Sequence, residues 1–235
     1  MTTPNPDYAS AYRGVRVRLI ELLRSQSDQE LDAIVPATPE WRVRDIAAHL
    51  AGVCDDITKG NMAGVASDEW TAAQVTKRAG WEIDHLIADW IEHAIVVEGQ
   101  MNDWGPGMGQ MVFDAFTHEQ DIRGALHAPG DHESAAAVIS FDWITSNLRA
   151  PADASPDDPG VRPPIHVVTD DVEVDILGPS GVATTLHVSR FEFLRSVTGR
   201  RSRRQIEALG WDGEPRVDDL CSNDVFRPST ADIIE

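Results

Sequence analysis

Apolar residues recur at helical spacing through most of the first 150 positions. Between roughly Tyr8 and Ser25, Val15, Leu19, Leu22 and Leu23 fall on one stripe; between roughly Val43 and Ile57 the stripe is Ile46, Leu50, Val53 and Ile57. A shorter helix is expected through TAAQVTKRA. A longer one is expected over about Glu82–Val97, carrying Ile83, Leu86, Ile87, Trp90 and Ile91, and a fifth over about Gly109–Leu126. A weaker helical pattern covers Ser134–Leu148. Several amphipathic helices with short connections predict a helix bundle of up-down type, with four or five helices.

The pattern breaks at 150–164, where five of the 14 prolines fall within APADASPDDPGVRPP. Such a stretch cannot hold a helix and reads as a linker. Beyond it, IHVV and VEVDIL read as strands, GPSG as a turn, and ATTLHV as the returning strand of a hairpin. Ser189 and Glu192 have capping-box spacing ahead of FEFLRSVT, which Gly199 can end; Ser202 and Gln205 repeat the device ahead of RRQIEAL, which Gly210 can end. The expected organisation is an α domain over 1–149, a Pro-rich linker over 150–164 and a small α+β domain over 165–235.

Composition narrows the function classes. The chain has 235 residues, 42% apolar and 25% charged, which is ordinary for a globular protein. With 39 acidic and 20 basic residues the net charge is −19, which disfavours binding to nucleic acid or to anionic membrane surfaces. Cys54 and Cys221 are the only cysteines, so neither a disulfide scaffold nor a cysteine-rich zinc module is expected. MTTPNPDYAS carries no basic and apolar leader pattern, and no apolar run is long enough to span a bilayer, so a cytoplasmic protein is expected.

Histidine and carboxylate are then the remaining candidates for metal chemistry. His49 shares a helix face with Ile46 and Val53. Asp114 and His118 are four apart on a face that also carries Met111, Ala115, Ile122 and Ala125. An imidazole and a carboxylate on apolar faces are costly to bury unpaired, and a metal ion would satisfy both. Two histidines and one carboxylate leave a tetrahedral ion one open position, the catalytic arrangement. Spacing alone leaves other readings standing: an Asp and a His four apart often form an ordinary ion pair, and a single histidine on an apolar face is often a core residue bonded to a carbonyl. His85 and His93, with Asp84 and Asp89, read as a solvated face; Cys54 reads as a small core residue, and the seven tryptophans read as core and rim packing.

At the level of motifs, TPEWRVRDIAAHLAG resembles the P-x-W-x-V-x-D-x-x-x-H-L signature of the mycothiol-dependent maleylpyruvate isomerase family, part of the wider DinB-like metal-binding bundles. WTAAQVTKRAGWEIDHLIADW, FDAFTHEQDIRGAL and SRFEFLRSVTGRRSRRQIEALGWDGEP resemble further blocks of that family in order, the last one its sterol-carrier-like C-terminal domain. The resemblance implies a divalent metal, usually zinc, held by His49, Asp114 and His118, with mycothiol as thiol cofactor. It also implies an active-site arginine in the C-terminal domain, for which Arg200 is taken. Arginine can hold a substrate carboxylate bidentately, although Arg200, Arg201, Arg203 and Arg204 can equally pair with nearby acids. Two departures stand out. The family usually has glutamate where Asp114 stands, and Ser or Thr where Arg42 follows Trp41, which costs the helix a hydroxyl cap with Asp45.

The expected function is a metal-dependent isomerase or mycothiol S-transferase, in which a metal-activated thiolate attacks a small electrophilic substrate. Asp45 or Asp121 is expected to orient a ligand histidine. Two alternatives are a non-catalytic small-molecule-binding protein and a metal-dependent hydrolase using metal-bound water. Expected partners are the substrate and the thiol, with no nucleic acid and no membrane, the chain being a monomer or homodimer.

Overall fold

Helix α1 (Tyr8–Arg24) starts where the Asp7 carboxylate accepts from the Ser10 backbone N–H at 3.0 Å. It opens a computed structural model that describes residues 6–149, 155, 162–179, 184–221 and 226–235. Two compact units emerge, one reaching Gly130 and including Glu235, the other running from Asp131 to Ile234.

The first unit contains α1, α2 (Asp28–Leu31), β1 (Ile34–Val35), β2 (Thr38–Arg42), α3 (Val43–Lys59), α4 (Asp68–Lys77), α5 (Ile83–Glu98) and α6 (Met108–Ala125). The five main helices predicted by periodicity are all present. α3 packs along α5, α1 against α5 and α6, and α4 against α3. The expected stripes form the core: Val15, Leu19 and Leu23 of α1, Ile46 and Leu50 of α3, and Leu86, Ile87 and Trp90 of α5 are buried. Buried ion pairs also cross between helices. Glu98 of α5 accepts from Arg16 of α1 at 2.7 Å, and Glu119 of α6 accepts from Arg18 of α1 at 2.7 Å. Removing one partner of such a pair would leave a charge in low dielectric, which is strongly destabilising.

The antiparallel pair β1–β2 is an addition, since 34–42 shows no alternation over a length that would predict strands. It closes onto α3 through Val43 N–H, which donates to Ala33 O at 3.0 Å. The expected loss of the α3 cap is only half realised. Arg42 has no hydroxyl to offer, but Asp45 still accepts from the Arg42 backbone N–H at 2.9 Å and from its guanidinium at 2.9 Å.

The second unit begins with α7 (Ala135–Leu148), followed by β3 (Ile165–Val168), β4 (Glu173–Ile176), β5 (Thr184–His187), α8 (Arg190–Val197), α9 (Arg203–Glu207), β6 (Gly210–Asp212) and α10 (Val217–Leu220). It is the expected small α+β arrangement, but it starts ahead of the Pro-rich stretch. α7 packs on α8 and β4, with Phe141 edge-on to Phe193 at 5.1 Å, although its sequence position grouped it with the bundle. Most of 150–164, where the linker is expected, lies outside the described residues.

The sheet order is β4-β3-β5-β6. The expected hairpin of β4 with β5 does not form: β3 lies between them, antiparallel to β4 and parallel to β5. Hydrophobic alternation marks a strand but not its neighbour, so the pairing was not legible. The caps on α8 and α9 do form, with Ser189 Oγ accepting from Glu192 N–H and Ser202 Oγ from Gln205 N–H, both at 3.1 Å. Gly199 ends α8 in the left-handed region at φ 77°, the conformation for which glycine is favoured.

Candidate metal centre

Two helices of the first unit build one cluster of three residues. His49 lies in the middle of α3, while Asp114 and His118 lie one turn apart on α6. His49 Nε2 is 3.4 Å from Asp114 Oδ2, and His118 Nε2 is 3.6 Å from Asp114 Oδ1. One donor atom from each residue falls within 4.8 Å of the others. The two rings meet edge-on, 5.1 Å between centroids. Asp114, though one methylene shorter than glutamate, reaches both imidazoles.

The 3.4 and 3.6 Å separations exceed an ordinary N–H···O hydrogen bond of about 2.7–3.2 Å. They are close to the edge of a tetrahedron of ligands set about 2.0–2.1 Å from a zinc ion, which is about 3.3 Å. The chemistry of the donors points the same way. His118 Nδ1 lies 3.0 Å from Asp121 Oδ2. A carboxylate only accepts, so Nδ1 carries the proton and Nε2 presents a lone pair. His49 Nδ1 lies 2.8 Å from Gln74 Oε1, which leaves its Nε2 in the same condition. Lone pairs from two imidazoles and a carboxylate therefore converge, and only positive charge can sit among them. Without an ion that charge is a proton. Burial disfavours the charged His49 ring, but the Asp114 carboxylate and the bond to Gln74 outweigh it, and the His49 pKa is raised. A divalent cation fits this donor set.

Trp41 of β2 covers both imidazoles, its ring centroid 5.4 Å from that of His49 and 5.9 Å from that of His118. The histidines are buried, whereas the Asp114 side chain is 35% exposed, so solvent reaches the cluster from the carboxylate side. Of the two acids expected to orient a ligand histidine, Asp121 meets His118 Nδ1, whereas Asp45 caps α3. Gln74 was missed, because a neutral amide on a short helix gives no charge signal.

Other candidates fall elsewhere. His93 is not on a solvated face: its Nε2 lies 3.2 Å from Asp55, a buried carboxylate that also meets Lys59, Lys77 and Arg78. His85 is exposed and stacks on Trp81 at 4.1 Å. Cys54 is buried against the Tyr12 hydroxyl, its thiol pushed up to about 12 by burial; burial likewise pushes Cys221 up to about 11. Neither supplies a thiolate at neutral pH.

Arg200 belongs to the second unit, where it is buried, donates to Thr198 O at 2.7 Å and stands 6.0 Å over the Phe226 ring. Arg201 forks onto Glu192 at 2.7 and 2.8 Å, while Arg203 meets Asp218 and Arg204 meets Asp232.

Among the described residues no helix is long and apolar enough to cross a membrane. No curated protein and no solved structure matches the chain. The profile of the mycothiol maleylpyruvate isomerase N-terminal domain matches residues 12–128, a span that contains α1 through α6 almost entirely and all three residues of the cluster. The first unit therefore carries the N-terminal domain of the mycothiol maleylpyruvate isomerase family.

Proposed function

We propose that the chain is a divalent-metal-dependent enzyme that uses mycothiol as the nucleophile toward a small electrophilic substrate, as an isomerase of the maleylpyruvate type or a mycothiol S-transferase. The observation that carries this reading is the convergence of acceptor atoms from His49, Asp114 and His118 inside a domain of a mycothiol-linked family. These three residues would hold the ion, with zinc the best match to an imidazole and carboxylate set. When bound there, the ion lowers the pKa of a thiol ligand so that the thiolate is present at neutral pH.

The chain's own residues prepare that chemistry. Asp121 and Gln74 keep the proton on Nδ1 of each imidazole, so both Nε2 lone pairs stay available. Trp41 shields the imidazole side from water, and the exposed side of Asp114 leaves the direction from which a thiol and substrate approach. Both cysteines of the chain are buried with raised pKa, which supports an external thiol as the nucleophile. Arg200 is the proposed cation for a substrate carboxylate, its planar fork suited to two parallel hydrogen bonds.

Elemental analysis of the purified protein, with conversion of a panel of electrophiles measured with and without mycothiol, tests the proposal. One metal per chain and turnover that requires mycothiol are expected. Turnover indifferent to mycothiol would remove the thiol from the reading, and a protein that takes up no metal would remove the enzyme.

A further inference from the structure

Behind His49 lies a chain of hydrogen bonds, longer than the one contact with Gln74, that decides which nitrogen of the ring is bare. Gln74 of α4 is buried. Its Oε1 lies 2.8 Å from His49 Nδ1, and its Nε2 donates to Asp56 Oδ2 at 2.8 Å. A glutamine amide can point either way, because its oxygen accepts and its nitrogen donates. Asp56 removes the choice: as a carboxylate it only accepts, so the amide nitrogen must face it and the oxygen must face His49. The other Asp56 oxygen takes the Asn61 amide at 2.9 Å, which holds the carboxylate in place.

The packing is built for this contact. Gly52, one turn after His49, faces Gln74 so closely that a Cβ at position 52 would lie 2.4 Å from Gln74 Cβ and 2.6 Å from its Cγ. Glycine inside an apolar helix is a poorer helix former than alanine, so a packing reason is expected, and the Gln74 side chain supplies it.

We infer that Gln74 is the positioning residue of the metal centre: Asp56 orients its amide, Gly52 admits it, and it holds His49 as the Nδ1–H tautomer with Nε2 free to ligate. The lock has something to oppose. Asp114 stands 3.4 Å from Nε2, and in the neutral ring its carboxylate draws the proton to that nitrogen, the tautomer that cannot bind an ion there. His118 has the matching support from Asp121, on its own helix. His49 instead depends on α4, so its readiness is set by the packing of a separate element. The inference rests on the metal reading above for its purpose but not for its first test.

That test is 15N NMR of the histidine rings in metal-free, full-length protein at alkaline pH, with His118 as internal control. Wild type is expected to show His49 protonated at Nδ1. Gln74→Ala and Asp56→Ala should shift His49 toward the Nε2–H form and leave His118 unchanged. Gly52→Ala should do the same while strengthening helix α3. Gln74→Glu combined with Asp56→Asn should rescue, since position 74 then still accepts from His49 and position 56 can donate to it. In a zinc competition titration the three single variants should lose about 10–100-fold in affinity, and the double variant should recover most of it. A wild-type His49 protonated at Nε2, or a Gln74→Ala protein with unchanged tautomer and affinity, overturns the inference. A wild type that shows the Nδ1–H form but takes up no zinc overturns the metal reading and leaves the tautomer lock standing.

Discussion

Three side chains with complementary protonation habits make up the candidate centre, and its two histidines share one expected outcome. His49→Ala or His118→Ala should lower zinc affinity by more than about 100-fold, since loss of an outer partner alone costs about 10–100-fold. Competition with a chromophoric chelator measures it. The pH dependence follows from His49. Its raised pKa in the metal-free protein means that protonation stabilises the fold below the unfolded-state value of about 6.5, a contribution lost as the pH rises through the folded value. Ion binding has the opposite sign, because the ring must be unprotonated. The rise in Tm produced by saturating zinc should therefore be larger at about pH 8 than at about pH 6, as calorimetry with and without zinc would show.

At this scale the residues of the cluster were legible because the i, i+4 spacing of Asp114 and His118 and the apolar company of His49 survive in one dimension. Trp41 and Gln74 were not. The strand that carries Trp41 has five residues and no alternation, and the amide of Gln74 has no charge to draw notice. Gly52 was the available signal: a glycine three positions after a candidate ligand, inside a helix that has every reason to prefer alanine.

At the scale of elements, the bundle helices are held by caps and by cross-helix ion groups as well as by their stripes. Asp7 accepts from Ser10 at the start of α1 and from the Asn102 side chain, bonds that bring its pKa down to about 2. Its contribution is present above the ordinary carboxylate value of about 3.8 and is lost as the pH falls toward about 2. Asp7→Ala should cost about 1 kcal/mol near neutral pH, and the gap to wild type should close in acid, as urea unfolding across that range would record.

Asp55 of α3 is a larger case. It gathers both lysines of the chain, Lys59 and Lys77, together with Arg78 of the α4–α5 connection and His93 of α5. Arg78 is 2% exposed, so Asp55→Asn leaves a buried guanidinium with only Asp89 as its acid and should cost about 3 kcal/mol. Urea unfolding monitored by circular dichroism measures it. From sequence His93 reads as solvated because the apolar residues of α5 define another stripe; only the packing of α3 on α5 brings Asp55 across to it.

On the scale of the whole molecule, the chain forms two units. The donor set lies entirely in the unit reaching Gly130, and the arginine-rich turn lies in the other. A fragment of residues 1–130 should therefore fold and bind one zinc with close to full-length affinity. A fragment of 1–149 would carry α7 without α8 and β4, exposing Phe141 and Ala137, and should self-associate where the shorter fragment stays monodisperse in light scattering. The fold classes of both parts were legible from period and turn chemistry. The place of α7 was not, since helical periodicity reports an apolar face but not which neighbour covers it.

The decisive experiment is a cobalt(II) titration of the metal-free, full-length protein, followed by optical absorption before and after mycothiol is added. A three-residue centre open to a thiol predicts one cobalt per chain, visible bands that vanish in the His49→Ala and His118→Ala proteins, and a sulfur-to-cobalt charge-transfer band when mycothiol is present. Cobalt that fails to bind stoichiometrically, or bands that survive loss of either histidine, would contradict it.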